Sequence, residues 1–160
     1  MARFPTDNRE AIETFVNITF PGKCIYHTEE RNKYELWDAE VIDDDGKVIA
    51  LIESKVRQVD DKRFDSFLLD NNKVENLIAE GKRRNIPVYV LCCYLQSKIL
   101  YVTRLYFPGR DDINITVKED SFRRNNTDNV KIRKKMAYIP FSDCTIIKNQ
   151  KLICNNTKVN

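Results

Sequence analysis

The stretch Trp37-Asp38-Ala39-Glu40-Val41-Ile42-Asp43-Asp44-Asp45-Gly46-Lys47-Val48-Ile49-Ala50-Leu51-Ile52-Glu53-Ser54-Lys55 decides how this chain folds. Two apolar-rich runs flank an Asp-Gly dipeptide, the pattern of a β-hairpin, because a two-residue type I′ turn needs positive φ at both central positions. With Asp45-Gly46 as the central pair, Asp44 pairs with Lys47 and opposed residues have numbers summing to about 91, the offset set by the two-residue loop. Asp38 then faces Glu53 across the ladder. Opposed side chains share a face with Cβ atoms roughly 5 Å apart, and two like charges there repel. A divalent cation relieves such a pair, since hard cations take oxygen ligands. Lys55 joins the same face, because side-chain direction repeats every second residue. Leu36 and Leu51 also share it, so the group is expected to be partly buried, where a lone ion pair would be poorly solvated.

The arms of the hairpin are expected at 34–42 and 47–57, and Val48 to Ile52 is apolar on both faces, as in a covered central strand. Upstream, Asp7 with Glu10 three residues on predicts the start of a helix whose buried stripe is Ala11, Ile12, Phe15 and Val16. Pro21-Gly22 ends it, and a short strand is expected over 23–28. Downstream, a polar turn over 59–63 leads to a helix expected from Asp65 to Arg84, with Leu68, Leu69, Val74, Leu77 and Ile78 on its buried side and Gly81 as a tolerated weak point. Asn85-Ile86-Pro87 stops it. Val88 to Leu95 reads as a buried strand, joined through Gln96-Ser97 to another over 99–104. Met136 to Phe141 is a further apolar segment, expected as an edge strand ended by Pro140. The expected class is therefore α/β with a mixed β-sheet flanked by helices, in the order αβββαβ.

A chain of 160 residues, 42% of them hydrophobic, suits one domain with a real core. We expect that domain over 1–148 and a flexible tail over 149–160. Charged residues reach 32%, yet the net charge is only +3, so total charge says little about partners and local distribution matters more. Between Lys118 and Lys135 the chain holds Arg123, Arg124, Lys131, Arg133 and Lys134 as well, against Glu119, Asp120 and Asp128. That is a candidate nucleic-acid-binding patch, and equally a solvated loop. No apolar run reaches the roughly 20 residues that span a bilayer, and no signal-peptide pattern opens the chain, so a cytoplasmic protein with no membrane partner is expected. The five cysteines form no CxxC pair, and Cys92-Cys93 sit in an apolar run, so buried thiols are expected rather than zinc ligands. His27 is the only histidine, which disfavours multi-histidine metal sites; a partly exposed structural role is its default.

A leading helix, a strand carrying Asp38, a strand carrying Glu53-Ser54-Lys55, a helix carrying Lys73 and then a buried strand together resemble the PD-(D/E)XK nuclease superfamily, especially its small phage-encoded and resolvase-like members. The resemblance covers roughly residues 7–104 and departs from the family pattern in having Trp37 where the namesake proline stands. It implies a restriction-endonuclease-like core and Mg²⁺-dependent (or Mn²⁺-dependent) hydrolysis of DNA phosphodiester bonds, in the replication, recombination or packaging of a phage or mobile element, within the host cytoplasm. It also implies that Asp38, Glu53 and the Ser54 backbone carbonyl hold the metal, and that Lys55 orients the attacking water. A helix-borne acid often completes such sites, and Glu13, which borders the apolar stripe, is the candidate. Lys73 lies at helical spacing from Leu69 and Leu77 and needs an anionic partner if buried. Arg57 extends the Lys55 face toward a nucleic-acid backbone, or is a solvated strand end. A homodimer, as in branch-cutting relatives, is left open by the sequence. The competing readings are a catalytically inactive nucleic-acid-binding or assembly module and, with less support, a carboxylate-pair hydrolase acting on sugars.

Overall fold

The computed structural model describes residues 3–31, 35–123 and 131–153, with side chains at 121–123 and 131 left aside. Helix α1 (Asn8–Thr19) starts where expected: the Asp7 carboxylate accepts the Glu10 backbone N–H at 2.8 Å, and Ala11, Ile12, Phe15 and Val16 are buried. Strands β1 (Cys24–His27), β2 (Ala39–Ile42) and β3 (Val48–Arg57) follow. Then come β4 (Ser66–Asp70), α2 (Asn71–Arg84), β5 (Val88–Tyr94) and β6 (Ile99–Tyr106). The chain closes with β7 (Thr116–Arg123), β8 (Lys131–Pro140), β9 (Thr145–Lys148) and β10 (Lys151–Ile153).

Seven strands form one mixed sheet in the order β1-β2-β3-β5-β6-β9-β10, parallel only between β3 and β5. A second sheet has the order β4-β8-β7. The fold is thus α/β with two α-helices among the described residues. Strand β3 is interior, and its residues Ala50 to Ser54 are buried because both faces of the large sheet are covered. One face carries α1, packed with Ala39, Val41, Ala50, Ile52, Leu91 and Cys93. The other face, with Leu51, Val88, Val90 and Cys92, shares its core with Val74 and Leu77 of α2 and with Phe67, Leu69, Ala137 and Ile139 of the small sheet.

Three expectations are corrected. Residues 66–70 form a strand, not the first turn of a helix: Phe67 and Leu69 are buried while Ser66, Leu68 and Asp70 are half-buried, an alternation of period two. Helix α2 begins only after Asp70, whose carboxylate accepts the Asn72 N–H at 3.0 Å. The expected αβββαβ order therefore gains a strand before its second helix. Residues 131–140 form a central strand flanked by β4 and β7, not an edge. The described parts of the basic segment, 118–123 and 131–135, consequently lie on the paired strands β7 and β8. Beyond Lys148 the chain continues into β10, paired with β9; the remainder of the expected tail, 154–160, lies outside the described residues. No helix among the described residues is long and apolar enough to cross a membrane.

The hairpin that opens the site reverses differently from the type I′ expectation. Gly46 N–H donates to the Asp43 carbonyl at 3.0 Å, so Asp44 and Asp45 are the central residues, and only Gly46 (φ 79°) is left-handed. This is a three-residue loop of the type I plus bulge kind, held by the Asp43 carboxylate, which accepts the N–H groups of Asp45 (3.0 Å) and Lys47 (2.9 Å). Alone it would shift the register by one. A bulge at Ile49 restores it: Ile42 pairs with Val48, but Val41 pairs with Ala50 and Ala39 with Ile52.

Candidate metal centre

The β2–β3 register ends with Ala39 opposite Ile52, and Asp38 stands just before it. Asp38 N–H donates to the Ile52 carbonyl (2.9 Å), and the Asp38 carbonyl accepts the Thr28 N–H (3.0 Å). Asp38 thereby stands beside Ile52 at the end of the ladder, near enough to Glu53 for the two charges to interact. Its carboxylate turns back to accept the Ser54 backbone N–H at 2.8 Å. On β3 the N–H of Leu51 and the carbonyl of Arg57 bond toward β5. Ser54, of opposite parity, therefore directs its backbone groups toward the β2 side, beside Asp38. Its hydroxyl reaches through to the α1 side and donates to Asn8 Oδ1 at 3.3 Å.

Glu53 is fully buried, with 0% exposure. Lys55 Nζ lies 2.7 Å and Lys73 Nζ 2.6 Å from the same oxygen, Oε1. Both approach as ion pairs outside hydrogen-bonding angles, and Oε2 is buried with no hydrogen-bond partner among the described residues. Burial pushes the Glu53 carboxyl above the usual carboxylate range and the nearby Asp38 charge pushes it further, while Lys55 and Lys73 oppose both. An orphaned buried carboxylate oxygen is costly, and a nearby second carboxylate makes it costlier. A hard cation supplies what both lack. Asp38, Glu53 and the Ser54 carbonyl fit one divalent ion that keeps several waters, the usual habit of Mg²⁺. Among the described residues no group of three or more His, Cys, Asp or Glu is placed to hold a metal.

The structure thus brings together Asp38, Glu53, Ser54, Lys55 and Lys73. Lys73 gets there from the first turn of α2, although Leu69, once expected to share its helix, belongs to β4. Glu13 does not join them. Its carboxylate lies 3.5 Å from Arg9 and 3.7 Å from His27 Nε2, on the helix that covers the opposite face of the sheet. His27 is buried rather than partly exposed, and burial, followed by the Arg9 charge, lowers its pKa. Arg57 is not a free strand end: its guanidinium donates to the Leu68 carbonyl at 3.2 Å, tying β3 to β4.

Of the basic hairpin, Lys134 sits 3.6 Å from Asp70, Lys135 is paired in register with Glu119, and Arg133 with Ser121. All three are exposed. Arg123 and Lys131 pair across the far end of the hairpin, and Arg124 lies outside the described residues. Among the described cysteines, Cys92, Cys93 and Cys144 are buried and Cys24 is exposed. Burial pushes the Cys92 thiol up to about 11 and those of Cys93 and Cys144 to about 12, so all three stay protonated. Asn8 was not singled out by the sequence, since its contact depends on where α1 crosses β3 and no local pattern encodes that. No family model, curated protein or solved structure matches this chain.

Proposed function

We propose that the protein is a metal-dependent nuclease that hydrolyses phosphodiester bonds, with DNA as the substrate and one Mg²⁺ or Mn²⁺ held by Asp38, Glu53 and the Ser54 carbonyl. The observation that carries this reading is the fully buried Glu53, whose Oε2 has no hydrogen-bond partner among the described residues and which lies near the Asp38 charge. A bound divalent ion would polarise the scissile phosphate and lower the pKa of a bound water. Lys55, 36% exposed at its side chain, is the ammonium that can reach from Glu53 to a phosphate and offset charge developing on phosphorus. Lys73 favours the ionised form of Glu53 from the α2 side. Arg133, Lys134 and Lys135 project from β8 past the end of β4, where β8 pairs with β7 alone. Such a two-stranded ribbon suits contact with a phosphate backbone or a groove.

The test is cleavage of labelled single-stranded, duplex and four-way-junction DNA with and without Mg²⁺. Wild type should cut at least one substrate only with metal, and Lys55→Ala should lose cleavage while keeping its circular dichroism spectrum. Undiminished cleavage by that variant would refute the assignment. A second reading, a nucleic-acid-binding module without catalysis, is favoured by one observation: two lysines already neutralise Glu53. Calorimetric Mn²⁺ titration separates the two, since the module requires no metal uptake.

A further inference from the structure

The outer face of the small sheet carries an open groove of about 920 Å³. It lies apart from the buried core, because the even-numbered residues of β4 and β8 line it while Phe67, Leu69, Ala137 and Ile139 point the other way. Lys62, Arg63 and Lys118 supply three cations to its lining, against the carboxylate of Asp65, with Asp120 beside it on the Tyr138 hydroxyl. None of the three forms an ion pair among the described residues. Phe64 lines the groove with 46% of its surface exposed, a position in which a large apolar ring forgoes the gain of burial. Tyr138 faces the same space with the Lys118 ammonium 5.0 Å from its ring centroid and its hydroxyl bonded to Asp120. Unpaired cations interleaved with an exposed aromatic ring are the chemistry that holds a single nucleic-acid strand: cations follow the phosphates and rings stack on bases, whose faces are unpaired only in single strands. An acidic peptide would satisfy the cations and leave Phe64 without a flat partner.

From this we infer that the groove binds a single-stranded segment of the nucleic-acid substrate, a conclusion that rests on the nuclease reading only for its choice of substrate. Strand β4 is the wall between groove and metal centre. Leu68 lines the groove, and its carbonyl accepts from Arg57, which lies on the face of β3 that carries Glu53 and Lys55. A strand leaving the centre around that wall enters the groove.

The experiment is fluorescence anisotropy of labelled oligo-dT, and of a duplex of the same length, on the full chain in EDTA. Phe64→Ala should weaken oligo-dT binding roughly tenfold, within the range of one base–aromatic stack, and leave duplex binding unchanged. Lys118→Ala should reduce the salt dependence of oligo-dT binding by about one phosphate contact. Both side chains are exposed, so the variants should fold as wild type does. Unchanged oligo-dT affinity in Phe64→Ala overturns the inference, and so does competition by poly-glutamate as effective as by unlabelled oligo-dT. If wild type cuts nothing with Mg²⁺ yet Phe64→Ala still loses oligo-dT, the groove stands and the catalytic reading falls. If cleavage is metal-dependent but oligo-dT affinity is the same in both proteins, the reverse holds.

Discussion

Replacing Glu53 by Gln should make the metal-free protein more stable and remove its response to metal. The carboxylate is 0% exposed, and the effective penalty for burying one ion is several kcal/mol even after relaxation. Against that recovery stands the loss of two ion pairs. Their lysine side chains are 36% and 26% exposed, so each pair is screened toward the surface value of about 1 kcal/mol. The balance favours Glu53→Gln by about 1–3 kcal/mol, which for a chain of this length raises Tm by roughly 2–4 °C per kcal/mol. Metal reverses the order. A ligand at about a hundred times its Kd adds about 2.7 kcal/mol to a folded state that alone binds it, and the variant lacks the carboxylate that would hold it. Thermal denaturation of both proteins in EDTA and in Mn²⁺ reads the crossing: the variant higher without metal, wild type level or higher with it. A variant less stable than wild type in EDTA would show that the two lysines more than offset the burial. Equal Mn²⁺ shifts in both proteins would show that the ion binds elsewhere.

The raised pKa of Glu53 sets the sign of a pH effect: the folded chain keeps this proton above the pH at which the unfolded chain, near its ordinary value of 4.5, has released it. Its contribution to stability is fully present below that value and lost as pH rises through the folded pKa. Urea midpoints in EDTA should therefore converge for wild type and Glu53→Gln in acid and separate as pH rises; a constant gap would refute this. Gly81→Ala should destabilise by about 1 kcal/mol despite better helix propensity, because the added Cβ would lie 2.7 Å from both Tyr106 Cδ1 and Val88 Cγ2. Urea denaturation checks it, with a more stable variant as the contrary result.

Period and punctuation made α1, β3 and β5 readable. The α1 stripe repeats at helical spacing, Gly46 marks a reversal, and Asn85 ends α2 in the left-handed conformation (φ 55°) that asparagine tolerates. Residues 66–70 misled because Phe67, Leu68 and Leu69 are consecutive apolar residues directly before a real helix. In a run that short, period two and period 3.6 differ little, and pairing with β8, about seventy residues away, decides between them. The basic segment misled for the related reason that strands rich in Lys and Asp carry little intrinsic β signal and are fixed by the partner strand. The expectation for Glu13 rests on the resemblance and on its place beside the apolar stripe of α1. Its helix packs on the face of the sheet away from Glu53, and sequence does not tell which face a helix will cover.

The register of the two strands next to Asp38 and Glu53 matches the sequence expectation, but through a turn other than the expected one. A two-residue loop gives opposed numbers summing to 91. The observed three-residue loop gives 90 next to the turn, as in Ile42 with Val48, and the bulge at Ile49 brings the sum back to 91 by Val41 and Ala50. Two irregularities therefore cancel within four residues of strand. Without the bulge, the β3 residue facing Ala39 would change from Ile52 to Leu51, and a one-residue slip reverses which side chains enter the core. Leu51, buried against α2 and the small sheet, and Ile52, buried against α1, cannot exchange faces without emptying two cores. Packing of these neighbours thus fixes the strands beside two carboxylates, Asp38 and Glu53, whose mutual repulsion works against that arrangement.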